Sequence, residues 1–308
     1  MVSSARASVV SITPFDHNGK VDEQALRLHL GRMAEAGLTV YLAGGGSGEG
    51  FTLDLDEMRQ IFAIGAEVLG GRVPVRAMGY EPHTAGHLRD ILLAAQDAGL
   101  DATQVYSLDG GHVFRPSVDE MRRYYSDVLE GVTLPLVLST HPSVGYALPI
   151  SLLEKLCTDY PVVGINVTTN EIPYLADMLS MVRGNGWLGT RISVQVGGEM
   201  HGLTNLALGG QGIVSSMGNL VPRLLARMHT DFAAGDFGGA NAAYARLIDI
   251  YNEFTKLGGS RALKVALGLL GHEVGSPRLP RFPVPPETVP AIAALIERFE
   301  IRETEQTA

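Results

Sequence analysis

"VVSITPFDHNGK" (residues 9–20) decides between two architectures open to this chain. Its first half is an apolar, β-branched run of the kind that forms a strand buried on both faces. Its second half is a polar turn with one glycine, Gly19. A doubly wound open sheet would place a glycine-rich phosphate loop directly after its first strand. "TPFDHNGK" is not such a loop. The closed alternative is therefore expected, a (β/α)8 TIM barrel in which each strand is followed by a helix.

The rest of the chain repeats that unit. Strand-like runs follow at TVYLAG (39–44), VPVRAMG (73–79), ATQVYS (102–107), LPLVLST (134–140), VVGINV (162–167), RISVQVG (191–197) and GIVSSM (212–217). They recur about every 25–35 residues, as strands joined by crossover helices require. "DEQALRLHLGRMAEAG" and "HTAGHLRDILLAAQDAG" carry helical patterns and end on glycine. "DLDE" (54–57) and "SVDE" (117–120) set a capping side chain three residues before a glutamate, which marks a helix start. After Asp236 only helical patterns remain, interrupted by the proline-rich "SPRLPRFPVPPE". The expected division is a barrel over 1–236 and a helical appendage over 237–308, packed together as one unit.

Composition narrows the function classes. The chain has 308 residues, of which 45% are hydrophobic and 19% charged, values that suit a well-packed globular protein. A net charge of -9 argues against nucleic acid as a partner, because phosphate must be neutralised by Lys and Arg. The single cysteine, Cys157, excludes an intramolecular disulfide and fits a reducing compartment. No apolar run reads as a signal peptide or a membrane span, so a cytoplasmic protein with no membrane partner is expected.

Several segments, most of them at the expected strand ends and one in the helical appendage, then resemble, in order, the dihydrodipicolinate synthase / N-acetylneuraminate lyase family. They are "SITPFDHNGKVDEQALRLHL", "GGSGEGFTLDLDE", "GRVPVRAMG", "VGGEMHGLTNLALGGQGIVSSMGNLVP" and "RALKVALGLLG". The resemblance implies a lyase-like barrel, generally a homo-oligomer (dimer or tetramer), acting on a small-molecule substrate. Most members form a Schiff base between a 2-oxo acid and a lysine in "GIK" on strand six. They shuttle protons through a tyrosine in "LYNxP" on strand five and hold the substrate carboxylate with a "GTTGE" loop.

This chain departs from that pattern at the reacting groups. "GIK" is "GIN", with Asn166 at the lysine position, and "LYNxP" is "LSTHP", with Ser139 at the tyrosine position. "GTTGE" is "GGSGE", which keeps Ser47 and puts Gly46 in place of the first threonine. The segment after strand four is the longer "SLDGGHVFRP". An amide nitrogen is conjugated to its carbonyl and cannot form an imine as a lysine amine does. The expectation is a small 2-oxo acid or sugar acid handled by acid–base chemistry without a Schiff base. Two alternatives stay open, a non-catalytic ligand-binding or structural member and a biosynthetic enzyme with a larger substrate.

The candidate residues follow from this reading. His141, Ser139 and His112 are the catalytic candidates, since a neutral imidazole can replace a phenol as proton shuttle. Ser47, Gly46, Asn166, Glu49 and Tyr106 are the substrate-binding candidates, the loop through its backbone N–H groups and Asn166 through its amide. Glu49 has the competing role of bracing that loop. No cofactor is expected. A divalent metal on His141, Glu199 and His201 is the alternative electron sink. Arg76, in mid-strand, faces either the barrel interior, where it needs a partner, or solvent.

Overall fold

The computed structural model describes residues 6–111, 114–141 and 144–306. Eight parallel strands close into a barrel in chain order. They are β1 (Ser8–Val10), β2 (Thr39–Leu42), β3 (Val75–Ala77), β4 (Ala102–Val105), β5 (Leu136–Thr140), β6 (Val162–Val167), β7 (Ser193–Gly197) and β8 (Gly212–Ser215). The strands are shorter than the apolar runs that announce them, because several runs continue into the loops at the strands' C-terminal ends. β1, for example, stops at Val10 while the apolar run extends to Phe15.

Eight helices alternate with the strands: α1 (Glu23–Glu35), α2 (Leu55–Leu69), α3 (Ala85–Asp97), α4 (Val118–Val128), α5 (Ile150–Asp159), α6 (Ile172–Gly184), α7 (Gly202–Ala207) and α8 (Pro222–Ala233). Both anticipated capping boxes are present, at Asp54–Glu57 and Ser117–Glu120. Each satisfies two backbone donors that a helix start would otherwise leave open. The helices lay apolar stripes on the barrel. Leu26, Leu30 and Met33 of α1 and Met58, Ile61 and Phe62 of α2 are buried. No described helix is long and apolar enough to cross a membrane.

One GxGxxG spacing does occur, at Gly184–Gly189. It follows α6 and leads into β7, and the N–H groups of Gly186, Trp187 and Gly189 are spent on local turns. It therefore cannot serve as the phosphate loop of an open sheet.

The C-terminal extension consists of α9 (Phe237–Lys256), α10 (Ser260–Leu269), α11 (Val289–Arg298) and α12 (Ile301–Gln306). Polar side chains tie it to the barrel. Arg278 forks onto both carboxylate oxygens of Glu57, and Lys264 is paired with Glu49. The Phe15 N–H also donates to the Val274 carbonyl.

Candidate active site

The C-terminal strand ends form one mouth of the barrel, where a barrel of this type carries its chemistry. Asn166 lies one residue from the end of β6, in register with Ser139 on β5 and Gln195 on β7. Residues in register on parallel strands point to the same side, and all three face inward. Asn166 is 5% exposed, and its Nδ2 donates to Gln104 Oε1 on β4 at 3.0 Å. Its Oδ1 is buried with no hydrogen-bond partner. A Cβ built on Gly197 would sit 3.3 Å from that oxygen and 2.2 Å from Thr168 Oγ1, which places the orphan acceptor at the tops of β6 and β7. Such an acceptor is costly unless something donates to it.

Gln104 continues the polar floor toward Tyr106. Burial, reinforced by Glu81, pushes the Tyr106 phenol far above its ordinary range, while a hydrogen bond from Gln104 works the other way. Tyr106 therefore stays protonated and serves as a hydrogen-bonding group. Glu81 is also the partner of His141, at 3.6 Å from Nδ1. Burial holds the His141 pKa below 6.5, and the Glu81 carboxylate opposes that shift. His141 is therefore mainly neutral near pH 7 and able to accept a proton. Ser139 is buried, and its carbonyl accepts from Ser107 Oγ.

The glycine loop after β2 stands on the same rim. Ala43 and Glu49 bracket it in left-handed conformations, φ 55° and 53°, and the Thr13 hydroxyl holds it through the Gly48 carbonyl at 2.7 Å. A Cβ on Gly50 would lie 2.1 Å from the Ala43 carbonyl oxygen, so this turn tolerates only glycine there. Nothing lies within 4 Å of a Cβ on Gly46. Among the described residues, the N–H groups of Gly46, Ser47 and Gly48 have no backbone acceptor. Three successive uncommitted donors suit an anion. Arg281 reaches the loop from the C-terminal extension, donating to the Gly46 carbonyl at 3.2 Å. The loop is joined to the Glu81 segment by a Gly45 N–H to Gly79 carbonyl bond.

Two of the sequence-derived candidates are committed elsewhere. Glu49 is 2% exposed, with Oε1 on Lys264 at 2.7 Å and Oε2 accepting the Arg278 N–H. It braces the loop against the extension, and both its oxygens are used. Glu199 is buried, with Oε1 accepting from Ser215 Oγ, Ser216 Oγ and the Ser216 N–H. His201 stands at the residue before α7 without a capping side-chain hydrogen bond, and His141 sits beside Glu81. The alternative His141–Glu199–His201 set is not assembled, and no group of three metal-ligating side chains converges among the described residues. His112 lies outside the described residues.

The lysines are also accounted for. Lys155 and Lys256 pair with Asp159 and Glu253 on the surface, and Lys20 is exposed. Lys264 alone is buried, and burial lowers its pKa while Glu49 opposes that shift. It binds Glu49 and the Thr13 and Ser276 carbonyls, which accounts for all three ammonium donors.

Sequence reasoning missed Gln104, Glu81 and Arg281. Gln104 carried a usable signal, a polar residue within an otherwise strand-forming run. Glu81 and Arg281 sit in loops, where a charge is unremarkable until the fold places it.

The dihydrodipicolinate synthetase family matches residues 3–299. A 4-hydroxy-tetrahydrodipicolinate synthase of Corynebacterium aurimucosum is 28% identical over 295 residues, covering 95% of this chain and 94% of that protein. The enzyme of the same name from Hyphomonas neptunium is 31% identical over 270 residues, covering 86% and 89%. A sialic acid aldolase of Ruminococcus gnavus superposes with a TM-score of 0.87 over 97% of this chain and 98% of that one. At 15% identity, that likeness is one of fold.

Proposed function

This chain belongs to the dihydrodipicolinate synthetase family, and from that premise we propose that it is a lyase-like enzyme acting on a small 2-oxo acid or sugar acid without a Schiff base. The observation that carries the reading is the orphaned, buried Oδ1 of Asn166, at the strand end where the family resemblance puts a lysine. An amide oxygen there accepts a hydrogen bond from a substrate hydroxyl and attacks nothing. The open N–H groups of residues 46–48, with Ser47 and the nearby Arg281 charge, receive the carboxylate. Neutral His141, steadied by Glu81, takes the hydroxyl proton as the adjacent C–C bond breaks, and the electron pair moves onto the substrate's own carbonyl oxygen. Tyr106, held protonated, and Ser139 donate to that developing enolate. The named relatives are synthases of small acids, which supports the substrate size. Homo-oligomeric assembly is part of the same proposal.

The test combines trapping with binding. Pyruvate and borohydride are expected to leave no mass adduct, and a trapped adduct on any of the four lysines would overturn the non-imine reading. A thermal-shift panel of 2-oxo, hydroxy and sugar acids is expected to give a hit that Asn166→Leu and Ser47→Ala abolish. A ligand at a hundred times its Kd adds about 2.7 kcal/mol of stability. Turnover of that hit should then depend on His141. Binding that leaves the ligand unchanged would favour the ligand-binding alternative, and a panel without any hit a barrel retained for assembly.

A further inference from the structure

The opposite end of the barrel also holds a cavity. Its volume is about 670 Å³, and it opens at the N-terminal ends of the strands. Arg6, Arg72, Arg76 and Arg191 line it, with Asp101 the one carboxylate among its lining residues and Gln195 on its floor. Four guanidinium groups facing one carboxylate make this a locally positive pocket in a chain of net charge -9. None of the four arginines forms a salt bridge among the described residues, whereas Arg27, Arg59, Arg89 and Arg278 elsewhere in the chain each pair with a carboxylate.

Two of these arginines are held in place. Arg76 is in register with Tyr41 and points inward, settling the orientation left open by the sequence. Its Nη1 donates to the Tyr41 hydroxyl at 2.8 Å, and that hydroxyl leans on Gln195 across the barrel. Arg191 stacks on Trp187, 4.3 Å from the ring centroid, and donates to the Cys157 carbonyl at 2.6 Å. In both residues Nε is buried with no acceptor. The buried Nε atoms do not face the cavity, but Arg76 Nη2 and Arg191 Nη1 are left without a hydrogen bond among the described residues. A guanidinium steadied by an aromatic face is arranged to offer such a group to an oxyanion. Asp101 accepts the Val75 N–H on Oδ2 and forms no ion pair with any of the four arginines among the described residues.

We infer that the N-terminal mouth is a second binding site, for a small polyanion carrying phosphate or several carboxylates. It lies at the far end of the barrel from Asn166 and His141, so its ligand is not the molecule transformed there. This inference is independent of the proposed reaction.

The test is calorimetric titration of the full chain with pyrophosphate and, separately, with citrate, at constant ionic strength. At least one anion is expected to bind saturably. Arg191→Gln and the surface change Arg72→Ala should each weaken it by about tenfold or more, the scale of one lost charged hydrogen bond. Arg72 is exposed and, among the described residues, its side chain donates only to the Val68 carbonyl, so its variant should keep the fold intact. Pyrophosphate binding alone assigns a phosphorylated ligand, and citrate binding alone a polycarboxylate. No saturable binding by either anion, or binding that both arginine variants leave unchanged, overturns the inference. Variants at Ser47 and Asn166 should not alter this affinity, so loss of the reaction and loss of this site are told apart.

Discussion

Replacing Lys264 by methionine tests whether the one buried lysine is structural. The Glu49–Lys264 pair is 2.7 Å long with both side chains 2% exposed. Removing the ammonium leaves the Glu49 carboxylate, among the described residues, with only the Arg278 N–H as hydrogen-bond partner. Breaking one side of a buried pair costs about 3–5 kcal/mol, since the remaining charge is stranded away from water. At roughly 2–4 °C per kcal/mol for a large domain, that is a Tm loss of roughly 6–20 °C. Glu49→Gln should cost less. The lysine left behind already has a lowered pKa and can shed its proton, and the glutamine oxygen can still accept from Arg278. The double variant should be more stable than the sum of the two losses implies, with a coupling of about 1–3 kcal/mol. Urea unfolding followed by circular dichroism, at fixed protein concentration, reads all three. A Lys264→Met loss below about 1 kcal/mol would refute the reasoning. The amine would then be free of its pair and would return as a candidate for covalent chemistry beside the glycine loop.

Acid should destabilise the fold through two buried histidines. Burial lowers the His29 pKa to about 3 and that of His229 to about 4, from 6.5. The unfolded chain therefore binds more protons than the folded one below 6.5, and stability present above that pH is lost as pH falls toward those values. Each histidine should cost about 2 kcal/mol between pH 7 and pH 5. His229→Leu should remove roughly half of that slope in urea titrations, and an unchanged slope would contradict the assignment. In the glycine loop, Gly50→Ala should cost about 1–3 kcal/mol or more because its Cβ meets the Ala43 carbonyl. Gly46→Ala should stay within about 0.5 kcal/mol, and equal losses at the two positions would show that the loop is placed differently.

Much of this molecule is written locally. The alternation of apolar runs with capped, glycine-terminated helical patterns depends on neighbours a few residues apart, so the eight-stranded barrel and both capping boxes could be read from the chain. So could the position of Asn166 at the end of the sixth strand. The partners of each polar group were a different matter. Asn166 and Gln104 are 62 residues apart in sequence, and only closure of the barrel brings one amide onto the other. Glu49 could be read as binding substrate or as bracing its loop. The return of the C-terminal extension, with Lys264 on one carboxylate oxygen and the Arg278 N–H on the other, decided for the brace. Arg76 likewise showed a charge in mid-strand with no sign of its direction until β2 and β3 came into register. Local patterning sets where the backbone runs. Which buried donor meets which acceptor, and which is left open for a ligand, depends on contacts between distant segments that exist only once the chain has folded.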